Sequence, residues 1–381
     1  MTRILLVEGN NMEAGGVEAY LLNVLSQINR DNLELDVLVP GKVVSRVTAD
    51  RFNDIGCRIH QLDIESGGFN RNIELWNKVG EYLKNNSYDV IHVNTANLRV
   101  EAISLSLASK AGIEVRIAHS HGTLMTESTI KEELRNLLRI VIRSKATEFL
   151  ACSSAAAEAL VGKKYSPEVK IARNGINVKD YAFNQQKRAE IRERCGWNNK
   201  FVVGFIARIS PEKNHLFMLQ VIKKLSEMVP NVLLAVVGAG DEKNEQLVRK
   251  NVEAWNLQNN VQLLGERNDI SLLVQGMDLH VLPSIREALG IVNIEAQASG
   301  LRCICSDRVP RDADVTGLVD FVSLEKGVDY WAKIIAQYEH GYKRMNTTEM
   351  IIDKGYDITA SAKIVENIYS SLPETGGGII K

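Results

Sequence analysis

The sequence predicts an α/β protein made of two Rossmann-like domains facing each other across a cleft. Three observations predict it. At 381 residues the chain is longer than a single core usually organises. Short apolar runs alternate with helical patterns in two successive series, as parallel strands with helices on both faces require. Between the series, from about Asn177 to Lys200, apolar periodicity lapses and a linker is expected.

The first series opens with a strand at Arg3–Glu8, a loop containing Gly15 and Gly16, and a helix over about Val17–Ile28. Strands at Leu35–Val39 and Arg58–Gln61 follow, then a helix over Ile73–Lys84 and a strand at Val90–Val93. A helix near Arg99–Lys110 leads to strand Val115–His119 and the loop Ser120-His121-Gly122. After a further helix, strands Phe149–Cys152 and Val169–Ala172 close the series. A polar helix, Lys187–Cys195, lies within the linker. The second series runs from strand Phe201–Ile206 through strands Leu233–Val237, Val261–Leu264, Leu279–Pro283 and Arg302–Cys305. Helices over Leu216–Met228, Asn244–Trp255, Ile270–Gln275 and Ile291–Ser299 separate them. The expected domains are residues 1–180 and 181–356, with a helix at about 357–372 returning to the first domain.

Composition narrows the function. A net charge of −1 argues against nucleic-acid binding, which needs a large basic excess to neutralise phosphates. No apolar stretch approaches the roughly 20 residues of a spanning helix, and the opening strand is too short for a signal peptide. Five cysteines without metal-type spacing fit a cytoplasmic protein. The tail 373–381 completes a Leu-Pro-Glu-Thr-Gly sequence that begins at Leu372, expected to be a tag or a disordered end.

The candidate chemistry lies at the carboxyl ends of the second-series strands, where open α/β sheets bind ligands. Glu287 and Glu295 bracket a strand-to-helix junction whose free N–H groups suit a phosphate, while the carboxylates suit hydroxyls. Arg208 and Lys213 flank Pro211, a planar fork beside a mobile point charge, and fit a diphosphate. Gly238 and Gly240 permit close backbone approach. Asp269, after Arg267, is placed to cap the next helix. His121 ends a first-series strand, with His119 two residues before it.

These pieces, in this order, resemble glycosyltransferase family 4, retaining enzymes of the GT-B fold, in its bacterial capsule and exopolysaccharide branch. The resemblance rests on Gly15-Gly16, His119-Ser-His121, Asn174-Gly-Ile176, Arg208 to Lys213, Gly238-Ala-Gly240 and the Glu287/Glu295 pair, and spans nearly the whole chain. It implies that Arg208 and Lys213 hold a donor diphosphate, UDP-sugar favoured and GDP-sugar possible, without a metal or other cofactor. Glu295 would bind the ribose and Glu287 the donor sugar. The backbone of Leu289, Gly290, Ile291 and Val292 would cradle the distal phosphate. Gly15 and Gly16 would close over the phosphates from the acceptor-side domain, with Gly238 and Arg267 lining the donor site and His121 near the reacting centre. The partners implied are a nucleotide-diphosphate sugar and a surface-glycan or lipid-linked acceptor.

The chain departs from the family's usual pattern at Ala288-Leu-Gly290, where Gly-Leu-Pro is common, at Asn177 and at Arg302. The first change lies beside the donor sugar and leaves its identity open. A sugar-nucleotide 2-epimerase and a non-catalytic nucleotide-sugar-binding protein remain the alternatives. Helix Thr129–Lys145 carries Lys131, Arg135, Arg139 and Arg143 at a spacing of four. Leu134, Leu137, Leu138, Val141 and Ile142 provide its apolar face. It is a candidate for lying on an anionic membrane, at the inner face of the plasma membrane, or for ordinary packing on its sheet.

Overall fold

The computed structural model describes residues 1–65, 70–122 and 132–370, so the start of the 129–145 helix and the tail lie outside the described residues. Two compact units emerge, Met1–Gly175 with the segment from Ile358 onward, and Ile176–Asp357. The first holds seven strands: β1 (Thr2–Glu8), β2 (Leu33–Val39), β3 (Arg58–Gln61), β4 (Val90–Thr95), β5 (Val115–Ser120), β6 (Glu148–Ala151) and β7 (Lys170–Ile171). All pair in parallel, in the order β3-β2-β1-β4-β5-β6-β7. Side chains alternate across a strand. Ile4 and Leu6 of β1 therefore enter one apolar cluster and Leu5 and Val7 the other, and the sheet is covered on both faces.

Helix Ile358–Ser370 covers one of those faces. Its Ile358, Ala362, Val365 and Tyr369 recur at helical spacing and join Ile4, Leu6, Tyr20 and Leu21 in one cluster. In this sheet the connections reverse direction between β1 and β4, which makes a switch point at their carboxyl ends.

The second unit has β8 (Phe201–Ile206), β9 (Val232–Val237), β10 (Val261–Leu263), β11 (Leu279–Leu282), β12 (Cys303–Ser306) and β13 (Val319–Val322). Their order, β10-β9-β8-β11-β12-β13, puts the switch point between β8 and β11. The loops after these two strands carry Arg208, Lys213 and Glu287.

Three local differences from the sequence-based expectations have physical causes. The polar helix expected in a linker, Gln185–Cys195, is anchored in the second unit. Its Arg188 and Arg192 bind Asp278 at 2.5 and 3.1 Å, and Asp278 accepts the Val202 N–H. Helix Arg46–Asp54 buries only Thr48 and Phe52, so it shows no apolar stripe, and Ser45 caps it. Edge strand β13 buries only its end residues Val319 and Val322.

Trp197 shows how the polar helix is tied down. It is fully buried, and its ring nitrogen donates to Gln262 at 2.7 Å. Trp197→Ala is expected to lower stability in a urea titration by about 3–5 kcal/mol; an unchanged midpoint would show that this contact does not anchor the helix.

Candidate functional site

In the second unit the loop after β8 is held by the loop after β9. Ala207 and Ile209 donate to the carbonyls of Val237 and Ala239 at 2.9 and 2.8 Å. Gly238 has φ +135, and a Cβ there would sit 2.2 Å from the Ala207 carbonyl oxygen. At Gly240 the corresponding clash is with the Ile209 oxygen, also at 2.2 Å. These glycines therefore let one loop lie on the other and set the position of Arg208, which is exposed.

Pro211–Lys213 forms a short turn of helix, and Asn214 ends it in the left-handed conformation. The turn aims Lys213 at the loop after β11, where its ammonium pairs with the Glu287 carboxylate. Ser284 donates to the same carboxylate oxygen at 3.2 Å, and the Ile285 N–H donates to the Glu212 carbonyl at 2.7 Å. Lys213 and Glu287, far apart in sequence, thus form one half-buried unit.

Helix Ile291–Ala298 begins directly after this loop. Gly290, at φ +73, turns the chain into it, and no side chain among the described residues caps it. Its first N–H groups have no partner within the helix. Leu289 and Ile291 pack against the buried cluster that contains Ile176, Val178 and Ile294, which fixes the loop backbone. Glu295 lies within the helix and accepts the Tyr181 hydroxyl at 2.8 Å. Tyr181 was not anticipated, because its segment lacks periodicity. Its place beside Glu295 comes from tertiary packing.

Asp269 differs from expectation. Asp269 occupies the cap position of helix Ile270–Gly276 but makes no capping bond. Arg267 grips its carboxylate with two bonds, at 2.9 and 2.7 Å, and Arg194 adds a third at 2.6 Å. The Arg267 guanidinium holds the Asp269 carboxyl below the usual carboxylate range. A charged fork is a stronger partner than a backbone N–H.

In the first unit, Gly15 precedes helix Gly16–Leu25. A Cβ at Gly15 would lie 2.6 Å from Glu18 Oε2, whereas Gly16 faces open space. Glu18 Oε1 accepts the Glu13 N–H at 2.8 Å and closes the loop. Burial raises both the Glu18 carboxyl and its neighbour Glu8, the latter strongly.

His121 lies just past the end of β5. Its Nδ1 is 3.3 Å from Asn174 and its Nε2 is 3.1 Å from Asn94. Its ring lies 4.0 Å from that of His119 and 4.9 Å from Tyr20. Behind it, His92 Nε2 and His119 Nδ1 are 3.0 Å apart, with rings stacked at 5.2 Å, and His92 Nδ1 is 2.7 Å from the Tyr369 hydroxyl. Burial pushes His121 down to about 4 and His92 to about 3, and lowers His119 strongly. Asn94, His92 and Tyr369 escaped the sequence reading; the polar His92 inside the apolar run of β4 was the available signal.

The described part of the basic helix, Glu132–Lys145, corrects the expected arrangement. Arg135 and Arg139 pair with Glu132 at 3.0 and 2.6 Å. Arg139 and Arg143 also reach the Ala159 and Val161 carbonyls of the neighbouring helix, Ser154–Val161. Ile142, Leu138 and Val141 face the core, while Leu134, Leu137 and Ile140 are exposed by 38%, 60% and 53%. The arginines are thus drawn to acceptors, and the exposed positions are Leu134, Leu137 and Ile140 together with Glu132, Glu133, Asn136 and Ser144 rather than a basic stripe. Among the described residues no helix is long and apolar enough to cross a membrane.

Comparison with known proteins places these features in a wider set. The Glycosyl transferase 4-like domain model matches residues 15–175, and the Glycosyl transferases group 1 model matches residues 187–355. The chain is 29% identical over 370 residues to the putative glycosyltransferase EpsF of Bacillus subtilis, covering 95% of this chain and 94% of EpsF. It is 27% identical to the UDP-Gal:alpha-D-GlcNAc-diphosphoundecaprenol alpha-1,3-galactosyltransferase of Escherichia coli, over 59% of each chain. The structure of Anabaena HepE in complex with UDP superposes with a TM-score of 0.71 at 18% identity, over 97% of this chain and 100% of HepE. That likeness shows a shared GT-B fold.

The left-handed turn at Gly290 gives a direct test of the loop. Gly290→Ala adds a conformational cost of about 1–2 kcal/mol and sets a Cβ 2.8 Å from Asn293 Nδ2. Urea unfolding is expected to shift accordingly; full retention of stability would contradict the turn.

Proposed function

The chain belongs to the glycosyltransferases that join a glycosyl transferase 4-like domain to a group 1 domain, and we propose that it transfers a sugar, with retention, from a UDP-sugar to a surface-glycan or lipid-linked acceptor. One observation carries the donor half of this proposal. Lys213, Glu287, the uncapped start of helix Ile291–Ala298 and Glu295 stand together at the switch point of one sheet. Arg208 and Lys213 supply positive charge to the diphosphate, so the proposal calls on no metal. The Ile291 and Val292 N–H groups meet the distal phosphate, whose charge grows as it leaves. Glu295 accepts from the ribose hydroxyls, and Glu287 holds the donor sugar.

The bond between the anomeric carbon and the phosphate oxygen breaks, the acceptor oxygen bonds to that carbon on the same face, and its proton passes to the leaving phosphate oxygen. The names of the relatives support the choice of substrates. The E. coli relative uses UDP-galactose and a diphosphoundecaprenol-linked sugar, and HepE was crystallised with UDP. A capsular polysaccharide glycosyltransferase, CapM of Staphylococcus aureus, is a further relative, at 28% identity over 46% of each chain.

Radiolabelled UDP- and GDP-sugars test the reaction. Transfer or slow hydrolysis supports it; epimerised donor, or binding without turnover, overturns it. Lys213→Ala is expected to cut kcat/KM at least tenfold, since a charge-assisted bond contributes about 1.5–3 kcal/mol. Full activity in this variant would remove Lys213 from the site.

We further propose that the Glu132–Lys145 helix meets the membrane through Leu134, Leu137 and Ile140, with insertion of apolar side chains leading and charge secondary. Leu137→Ser with Ile140→Ser should abolish co-sedimentation with anionic liposomes. Undiminished binding by the double variant would exclude this face.

A further inference from the structure

The contacts around His121 determine its proton as well as its place. Asn94 is fully buried at the carboxyl end of β4, and its amide nitrogen donates to the His92 carbonyl at 2.9 Å. That bond identifies the two ends of the Asn94 amide, because a carbonyl oxygen only accepts. Its Oδ1 therefore faces His121 Nε2 at 3.1 Å, and a hydrogen bond forms there only if Nε2 carries a proton. A buried neutral imidazole carries one proton. With that proton on Nε2, Nδ1 keeps its lone pair. Nδ1 lies 3.3 Å from the Asn174 side-chain amide, whose nitrogen donates to that lone pair when the amide is turned. A hydroxyl that takes the place of Asn174 donates to the same lone pair.

We propose that Asn94 is a positioning residue that locks His121 in its Nε2–H tautomer and so presents Nδ1 as the acceptor for a hydroxyl of a bound sugar. The sugar rests on the function proposed above, whereas the tautomer rests on geometry alone. The anchor is the β4 backbone at His92, whose side chain is held between Tyr369 and His119. The groups facing the His121 ring are His119 of β5, Tyr20 of helix Gly16–Leu25, Asn94 of β4 and Asn174 beside Arg173, while His92 of β4 stacks on His119 and Tyr369 of helix Ile358–Ser370 bonds to His92. Burial among them holds His121 at about 4, so it is neutral at physiological pH.

NMR of the full chain with 15N-labelled histidine tests the tautomer, with His121 assigned from the difference spectrum of His121→Gln. At neutral pH the expected signal is a protonated Nε2 and a bare Nδ1. A protonated Nδ1, or an imidazolium, overturns the proposal.

Asn94→Asp gives the kinetic test. It keeps an acceptor opposite Nε2 but sets a carboxylate against the ring, which favours the imidazolium. An imidazolium Nδ1 donates and no longer accepts. In this variant kcat/KM should fall about tenfold per pH unit below the raised His121 pKa, while the unaltered protein stays flat above about pH 5.5. A uniform loss at every pH would assign Asn94 a merely structural role and overturn the proposal. If NMR shows the Nε2–H tautomer but no nucleotide sugar is turned over, the proposed function fails and the proton assignment stands.

Discussion

The Lys213–Glu287 ion pair joins the two loops at the switch point of the second sheet. Both side chains are largely shielded, with 21% and 11% of their surface exposed. A shielded charge that loses its partner keeps its desolvation penalty, so the pair resists opening unless something charged replaces it. In the proposed function a diphosphate would do so for Lys213, and the released Glu287 would then turn to a neutral, hydroxyl-rich group. On that proposal the pair couples arrival of the phosphates to availability of the Glu287 carboxylate. The same loops bring Arg208 and the uncapped start of helix Ile291–Ala298 to this point. The glycines of the β9 loop keep their place because any side chain there would strike backbone.

The first unit uses a different device. Its candidate residue, His121, is an uncharged histidine held by packing and by hydrogen bonds to two side-chain amides, and the frame reaches through His119 and His92 to Tyr369 on the returning helix. Helix Ile358–Ser370 therefore buttresses a residue near the end of β5. Fully buried histidines in such a stack stay neutral, because burial penalises the charged form and each neighbour would repel it.

Much of the fold was legible because strands covered on both faces must be continuous apolar runs. β8, buried throughout, has the boundaries read from the sequence. Helix Arg46–Asp54 and edge strand β13 were not legible, since neither buries enough to leave a pattern. Glu287, Glu295, Arg208 and Lys213 could be picked out by chemical type and spacing. That Lys213 sits on Glu287, or Tyr181 on Glu295, depends on strand order, which spacing does not encode. The arginines of the Glu132–Lys145 helix make the same point. Their fourfold repeat predicts a shared face but not that the face is taken up by Glu132 and backbone carbonyls.

A crystal structure of the protein with an unhydrolysed UDP-sugar tests the central claim most directly. The account predicts Lys213 moved from Glu287 to the diphosphate, Glu287 on a sugar hydroxyl, and Glu295 on the ribose. A nucleotide bound elsewhere, with the Lys213–Glu287 pair intact, would contradict it.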